Sequence, residues 1–576
     1  MKIVSKIYSK VLLAAVVAVG AMMSSCTDYL TIIPADKVVE ENFWQTKDQV
    51  NGMLATSYIK LFSTDAVRKA IIWGEVRSDD MSYPSASDFN AEVKDIIEAE
   101  VDYKNSYCNW GVYYEAISSA NLVLECAGKA RQTDPDFTEG DSIIVSGEMY
   151  AMRALCHFYL VRTFRDIPLA TRSAKNDADM PDYVQVHPLE ALNHIMADLD
   201  KAQHMVMKSG AYTDPAKNLG RFSSNAVLAI KADVNLWRAA FAKYYEDDTE
   251  RVKPGDVQRY YDECVQNCQD LLDDMDATIK KENEGNQLAE TYPYNLIPNR
   301  GDDLKTSLKS TAYDEIFGSG KNSSESIFEL QISSDNTSRE KTKGALDVYG
   351  TDNDPNLVAA SKKFIKDYYA KDDLRAYSFT NLDNFNDLDN EETVVCVTKY
   401  VAKKSPAAKE KDYRKSSEWD ANWIVYRRTD VMLMMAEAMV TRENATSTDM
   451  QEAFNIVYAI NTRSRCDSTA IEEKELKIED YPTAKDMQEL VRDERARELA
   501  FEGKRWYDLV RLALMEKSTA PVKFVADKLK SGGVVKIKMA NIDCLFLPIF
   551  HEELRYNKNL KQNPEYDDDD SMTELN

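Results

Sequence analysis

The stretch Asp493-Glu-Arg-Ala-Arg-Glu-Leu-Ala-Phe-Glu-Gly-Lys-Arg-Trp-Tyr-Asp-Leu-Val-Arg511 decides how the rest of the chain is read. Residues three and four apart are neighbours on a helix. Glu494 with Glu498, Arg495 with Glu498, Glu502 with Arg505, and Asp508 with Arg511 therefore fall together. Phe501, Trp506 and Leu509 thread the same segment, so its charged face cannot be wholly solvated. The mixture predicts a partly buried ion-pair lattice that locks one long helix, 485 to about 515, onto its neighbours, with Arg supplying bidentate forks. An acid–base site made from the same residues is the alternative.

Outward from this stretch, amphipathic segments of period 3.6 arrive in pairs. Residues 46–62 carry Val50, Met53, Leu54, Tyr58 and Leu61 on one stripe, with Thr46 as N-cap. Residues 107–129 pair with 140–163, 188–208 with 223–245, and 423–442 with 449–463. Ala116, Ala120, Ala226, Ala229, Ala232, Ala436 and Ala438 stand where helices would approach closely. The prediction is a mainly α fold, a tetratricopeptide-like scaffold of helical hairpins. Between about 281 and 417 Asn, Asp, Ser, Gly and Tyr dominate, which reads as a loop-rich, irregular insertion. Short β-strands are expected in it at Ile327-Phe-Glu-Leu-Gln-Ile and Thr393-Val-Val-Cys-Val. The basic run 399–415 reads as a solvated loop, the polar run 77–88 as no element, and the acidic run 567–570 as a tail. The expected divisions are a leader at 1–25, an N-terminal helical region at 26–280, the insertion at 281–417, C-terminal helical repeats at 418–515 and a closing segment with acidic tail at 516–576.

The first residues set the compartment. Lys2, Lys6 and Lys10 precede an apolar run over 11–23 that is too short to span a bilayer, which is the pattern of a signal peptide. Ser24 and Ser25 followed by Cys26 resemble the lipobox of bacterial lipoproteins, with Met23 in place of the usual Leu. On that reading Cys26 is acylated and becomes the mature N-terminus, and the lipid holds a folded body at a membrane surface.

Composition excludes several functions. A net charge of -25 repels polyphosphate, so nucleic acid is not an expected ligand. No phosphate-binding P-loop, dinucleotide fingerprint, His-Glu-x-x-His or Gly-x-Ser-x-Gly is present, and five histidines make no ligand cluster, so no cofactor or metal is expected. His157 and His194 read as structural, and Cys264 and Cys268, one helical turn apart, as small buried residues. The 97 acidic residues make chance carboxylate pairs inevitable, which leaves a surface glycosidase conceivable but unsupported. The 31 tyrosines and 7 tryptophans exceed what a helical core requires and suggest exposed rings for stacking.

Five segments in order carry a family resemblance. The opening stretch resembles the Glu-Arg-x-x-Glu-Leu-x-Phe-Glu-Gly-x-Arg-Trp-x-Asp-Leu signature of the SusD/RagB family. Cys26-Thr-Asp-Tyr-Leu resembles that family's acylated start, and Tyr114-Glu-Ala-Ile-Ser-Ser-Ala-Asn its early helix. Gly147-Glu-Met-Tyr-Ala-Met-Arg-Ala-Leu-Cys-His-Phe-Tyr-Leu-Val-Arg-Thr-Phe-Arg-Asp-Ile-Pro resembles the second, with Arg165 where Gly is common. Leu547-Pro-Ile-Phe-His-Glu-Glu-Leu and Asn559-Leu-Lys-Gln-Asn-Pro-Glu-Tyr resemble the closing motif, with Phe550 where Pro is usual. The resemblance implies a non-catalytic outer-membrane lipoprotein that captures an oligosaccharide, or in some members a peptide, for a SusC-like TonB-dependent transporter. A lid for the transporter without ligand affinity is a further possibility. By order along the chain, it points to Trp73, Arg77, Asp79, Asp80, Tyr83 and Phe89 in the loop after the first helix as ligand contacts. From the irregular half it adds Tyr292, Tyr294, Tyr313 and Tyr349.

Overall fold

Thr46 starts the scaffold as the sequence predicts. Its side chain accepts from the Gln49 amide, Gln49 reaches back to the Thr46 backbone, and α1 (Lys47–Leu61) follows. The computed structural model describes residues 43–567 except 85–89, 174–182, 284–291, 300–309, 319–320, 333–343, 404–411, 416–420, 466–474, 528–538 and 540. The leader, Cys26, Phe89, Trp419, Cys466 and residues 568–570 of the acidic run lie outside the described residues.

Successive long helices are α2 (Gly111–Cys126), α3 (Glu139–Phe164), α4 (Pro188–Met205), α5 (Ser224–Tyr244) and α6 (Asp256–Glu282). They continue with α7 (Arg428–Thr441), α8 (Ser447–Arg463), α9 (Ala484–Leu499) and α10 (Arg505–Glu516). Each packs on the next from α1 to α8, α9 lies across α7 and α8, and α10 returns to α5. The seven alanines singled out from the sequence are all buried at these contacts, where a small side chain lets helix backbones approach. The fold is mainly α, a stack of helical hairpins.

The structure corrects several readings. The helix α6 was not anticipated, although it is the longest described; it carries Cys264 and Cys268, both buried and free. Residues 423–427 are not the start of a helix. They form β2 (Trp423–Arg427), antiparallel to β1 (Ser326–Leu330) and buried at every position. A run buried on both faces shows no alternation, so periodicity does not separate it from helix; β-branched and aromatic composition does. Within 393–397 only Val397 bridges, to Thr380. Within the run 77–88, which read as no element, Met81–Ser82 pair antiparallel with Ala359–Ala360. The basic run is not wholly solvated, because Lys399 is fully buried. Most of the aromatic surplus is core: among the described residues Tyr556 alone of the tyrosines is a strongly exposed ring.

The long helix predicted at 485–515 is two helices, broken at Ala500-Phe501-Glu502-Gly503. Phe501 and Gly503 adopt positive φ (68° and 71°). Several of the peptide groups freed by the break find buried partners. Glu75, from the turn Ile72–Val76, accepts from the Phe501 amide at 2.5 Å and from Lys504 at 2.7 Å. The Lys399 ammonium donates to the carbonyls of Glu498 and Ala500, both at 2.9 Å. Gly74 passes so close that a Cβ there would stand 1.9 Å from the Gly503 carbonyl oxygen. A side chain larger than hydrogen has no place at 74.

Around this break lies the ion-pair lattice, with partners more distant than the sequence suggested. Glu498 receives Arg427 and Arg463, each at 2.8 Å, and Arg375 at 3.2 Å. Glu494 binds Arg375 at 2.7 Å, and Glu502 binds Arg427 and Lys399, each at 2.6 Å. Every side chain named here is fully buried. Arg495 joins Asp508 and Asp430, and Arg511 joins Asp508 and Glu437. Of the four neighbour pairs read from the sequence, Asp508–Arg511 forms as an ion pair; Glu502 turns instead to Arg427 and Lys399. Removing one partner of a buried pair leaves the other charge uncompensated, so Glu498→Ala should destabilise by about 3–5 kcal/mol in urea unfolding. Burial alone would raise the Asp508 carboxyl, yet Arg495 and Arg511 hold it down to about 2, and burial is likewise outweighed at Glu498, lowered by Arg427, Arg463 and Arg375. Groups lowered on folding stabilise the native state above their unfolded pKa of about 4 and lose that contribution as pH falls through the folded value. The midpoint of urea unfolding should therefore drop steeply between about pH 4 and pH 2, and Asp508→Asn should flatten that limb.

Candidate functional site

A cleft of 920 Å³ runs beside α9 and α10. Its mouth is set by the first loop (Asp79, Ser82, Tyr83) facing the short helix Lys362–Tyr368. Lys485, Gln488 and Arg492 line one wall from a single stripe of α9. Leu509, Leu512, Met515 and Phe524 make another wall apolar.

Arg505 organises the mouth. Its guanidinium donates to both Asp79 oxygens at 2.8 Å and, through Nη2, to the Tyr368 hydroxyl at 2.8 Å. The Tyr368 ring stacks on Phe364, centroids 4.5 Å apart and planes 28° from parallel. Tyr83 is half-buried and donates its hydroxyl to Glu98 at 2.6 Å, and burial, then Glu98, pushes its phenol upward so that it stays neutral. Two half-buried tyrosine rings are thus held by hydrogen bonds beside a fixed guanidinium–carboxylate fork. Such a set offers flat apolar faces and in-plane polar groups together, with little side-chain entropy left to lose on binding.

The remaining residues named from the sequence are placed elsewhere. Trp73 is buried between Tyr113 and Phe164, its Nε1 donating to the Tyr107 carbonyl at 2.8 Å. Arg77 is buried against the Trp506 ring and donates to the carbonyls of Cys544 and Leu545. Asp80 is buried beside Glu75, and burial raises both carboxyls. Tyr313 donates to Glu498 at 2.6 Å inside the lattice, and Tyr349 to the Phe501 carbonyl at 3.0 Å. These five, expected as ligand contacts, are buried core groups that do not line the cleft. Tyr292 and Tyr294 are half-buried against α8, where Tyr294 donates to Glu452, and they do not line the cleft. Phe89 is outside the described residues. Of the ten candidates, Asp79 and Tyr83 line the cleft. Tyr368, Phe364, Lys485, Arg492 and Phe524 also line it and were not singled out from the sequence; the i,i+4 aromatic pair Phe364–Tyr368 was a signal for two of them.

Comparisons with known proteins agree on kinship. A family model described as "Starch-binding associating with outer membrane" matches residues 28–236, and the model of the SusD family matches residues 382–566. The chain belongs to the SusD family. SusD-like protein P38 of Formosa agariphila is 23% identical, with 95% of this chain and 96% of that protein covered. A SusD homolog from Bacteroides thetaiotaomicron superposes with TM-score 0.64 at 17% identity, over 91% of this chain and 100% of that one. A laminarin-binding SusD-like protein superposes with TM-score 0.59 at 19% identity, over 90% of this chain and 99% of that one. At such identities the superpositions establish a SusD-type fold. Among the described residues of this SusD-family chain, no helix is long and apolar enough to cross a membrane.

The two kinds of first-loop residue should behave differently. Trp73→Ala should cost about 3–5 kcal/mol of stability in denaturant unfolding, as expected for a deleted core aromatic. Tyr83→Ala, at the cleft mouth, should change the unfolding midpoint far less.

Proposed function

We propose that this protein captures a glycan at the outer surface of the cell without turning it over, and passes it to a SusC-like TonB-dependent transporter. Acylation at Cys26 would tether it to the outer membrane. The carrying observation is the cleft mouth, where Tyr83 and Tyr368 flank the Asp79–Arg505 fork. Sugars present apolar C–H faces ringed by hydroxyls, and rigid aromatic faces beside planar polar groups complement both. A volume of 920 Å³ accommodates more than a single small ring. The description of the N-terminal family model as starch-binding, and the laminarin-binding relative, support glycan over other nutrients. Of the carboxylates lining the cleft, Asp79 is forked by Arg505 and Asp508 is held down to about 2 by Arg495 and Arg511, which argues against either of these two as a general acid.

Calorimetry on the full-length protein in detergent, titrated with neutral polysaccharides, tests the reading. Binding is expected, with no new reducing ends released on prolonged incubation. Tyr368→Ala should weaken it by at least about tenfold, or about 1.4 kcal/mol. Binding of peptides and of no glycan would transfer the same cleft to peptide uptake. Release of reducing ends would make the protein an enzyme.

A further inference from the structure

We propose that the cleft continues past Tyr368 into a second subsite, so that the ligand is a linear, uncharged oligosaccharide long enough to span both. A separate cavity of 360 Å³ lies on the other side of α9's outer stripe. It shares Tyr368 and Asp493 with the main cleft, and no other lining residue is common to both. The stripe Lys485, Gln488, Arg492 faces the main cleft, whereas Glu489, Asp493 and Arg497, one stripe over, face the second cavity. Asp493 is solvent-exposed on the ridge between them. The Tyr368 ring at this junction is fixed on one face by Phe364 and at its hydroxyl by Arg505. A chain leaving the main cleft therefore crosses an immobilised ring edge.

The chemistry of the second cavity differs from that of the first. Tyr481 offers a half-buried ring whose hydroxyl bonds to no described residue. Asp480 and Glu489 are exposed carboxylates able to accept from sugar hydroxyls. The two guanidiniums in the lining are already committed, Arg497 to Glu494 and Arg465 to Asp372. Among the described residues lining this cavity, carboxylates without an ion pair thus outweigh free cations, which disfavours a uronic or sulfated unit in it and leaves a neutral polyol as the matching class there. Two weak sites joined by one covalent chain reinforce each other, because the second contact forms at high effective concentration.

The inference rests on the proposed glycan capture, and a chain-length series separates the two. Full-length protein is titrated with malto- and laminari-oligosaccharide ladders, from the dimer to chains that outrun both cavities. Affinity should climb by at least about tenfold with length and then level off. Tyr481→Ala, and independently the exposed Glu489→Gln, should erase that gain and leave the affinity for the dimer unchanged. A sulfated chain of the same length should show no such gain. Dimer binding with no gain on lengthening, or a Tyr481→Ala variant that keeps the gain, overturns the second subsite and leaves glycan capture standing. Absence of binding at every length in both ladders overturns capture itself.

Discussion

Glu498 and Glu502 are carboxylates with no access to water, and everything around them is arranged to make that tolerable. Burying an ion is costly, and the cost is offset only when geometry is good and each oxygen is satisfied. The cations that do this come from several separate elements between residues 375 and 463. Arg375 and Lys399 belong to the irregular half, Arg427 ends β2, and Arg463 ends α8. The lattice is therefore less a stabiliser of one helix than the joint between the hairpin stack and the loops laid over it. Apolar contacts alone would let those loops slide; forked hydrogen bonds admit a single register.

The same joint sets the cleft. Breaking the helix at Phe501–Gly503 turns α10 so that Arg505 reaches Asp79 in the first loop. Glu75 caps the new helix start, and Gly74 lets the loop lie against the break. Segments more than four hundred residues apart are thereby held as one unit, and the mouth inherits its rigidity from buried charge. Lys399 shows the tension in this arrangement. Burial pushes its ammonium down to about 8 while Glu502 pulls the other way, and the Phe379 ring covers it at 3.7 Å. It stays useful because its protons go to two backbone carbonyls that the broken helix would otherwise leave bare.

Much of this was legible in the sequence. Helical hairpins follow from period and capping, and Thr46 shows both. The lattice was legible as a mixture of charge with Phe501 and Trp506 that only burial explains. Its partners were not, because Arg375, Lys399 and Arg427 are remote in sequence, and isolated basic residues read as solvent-exposed. The break was signalled by Glu-Gly at 502–503, a helix-stop pattern overridden by the apolar period on either side. Arg165 is a subtler case. It ends α3 at φ 67°, a conformation that costs an L side chain about 1–2 kcal/mol and explains why the resembling motif commonly has Gly. Here the guanidinium is held by Asp166 and Asp543, which offsets that strain with contacts no local pattern reveals.

The site was less legible for a reason that concerns what motifs encode. Residues that carry the family resemblance, Glu494, Arg495, Glu498, Glu502, Arg505 and Trp506, are all buried, and most sit in the lattice. They specify the joint. Tyr83, Tyr368 and Tyr481, which present rings to the two cavities, lie outside every one of those segments. A fold held by interlocked buried charges tolerates little change at its joint, since each carboxylate answers to several cations at once. It tolerates much more at a half-buried ring on a short helix or turn. Recognition can thus be altered at the rim without disturbing what positions it, and reading the motifs alone recovers the scaffold while leaving the ligand to the rim.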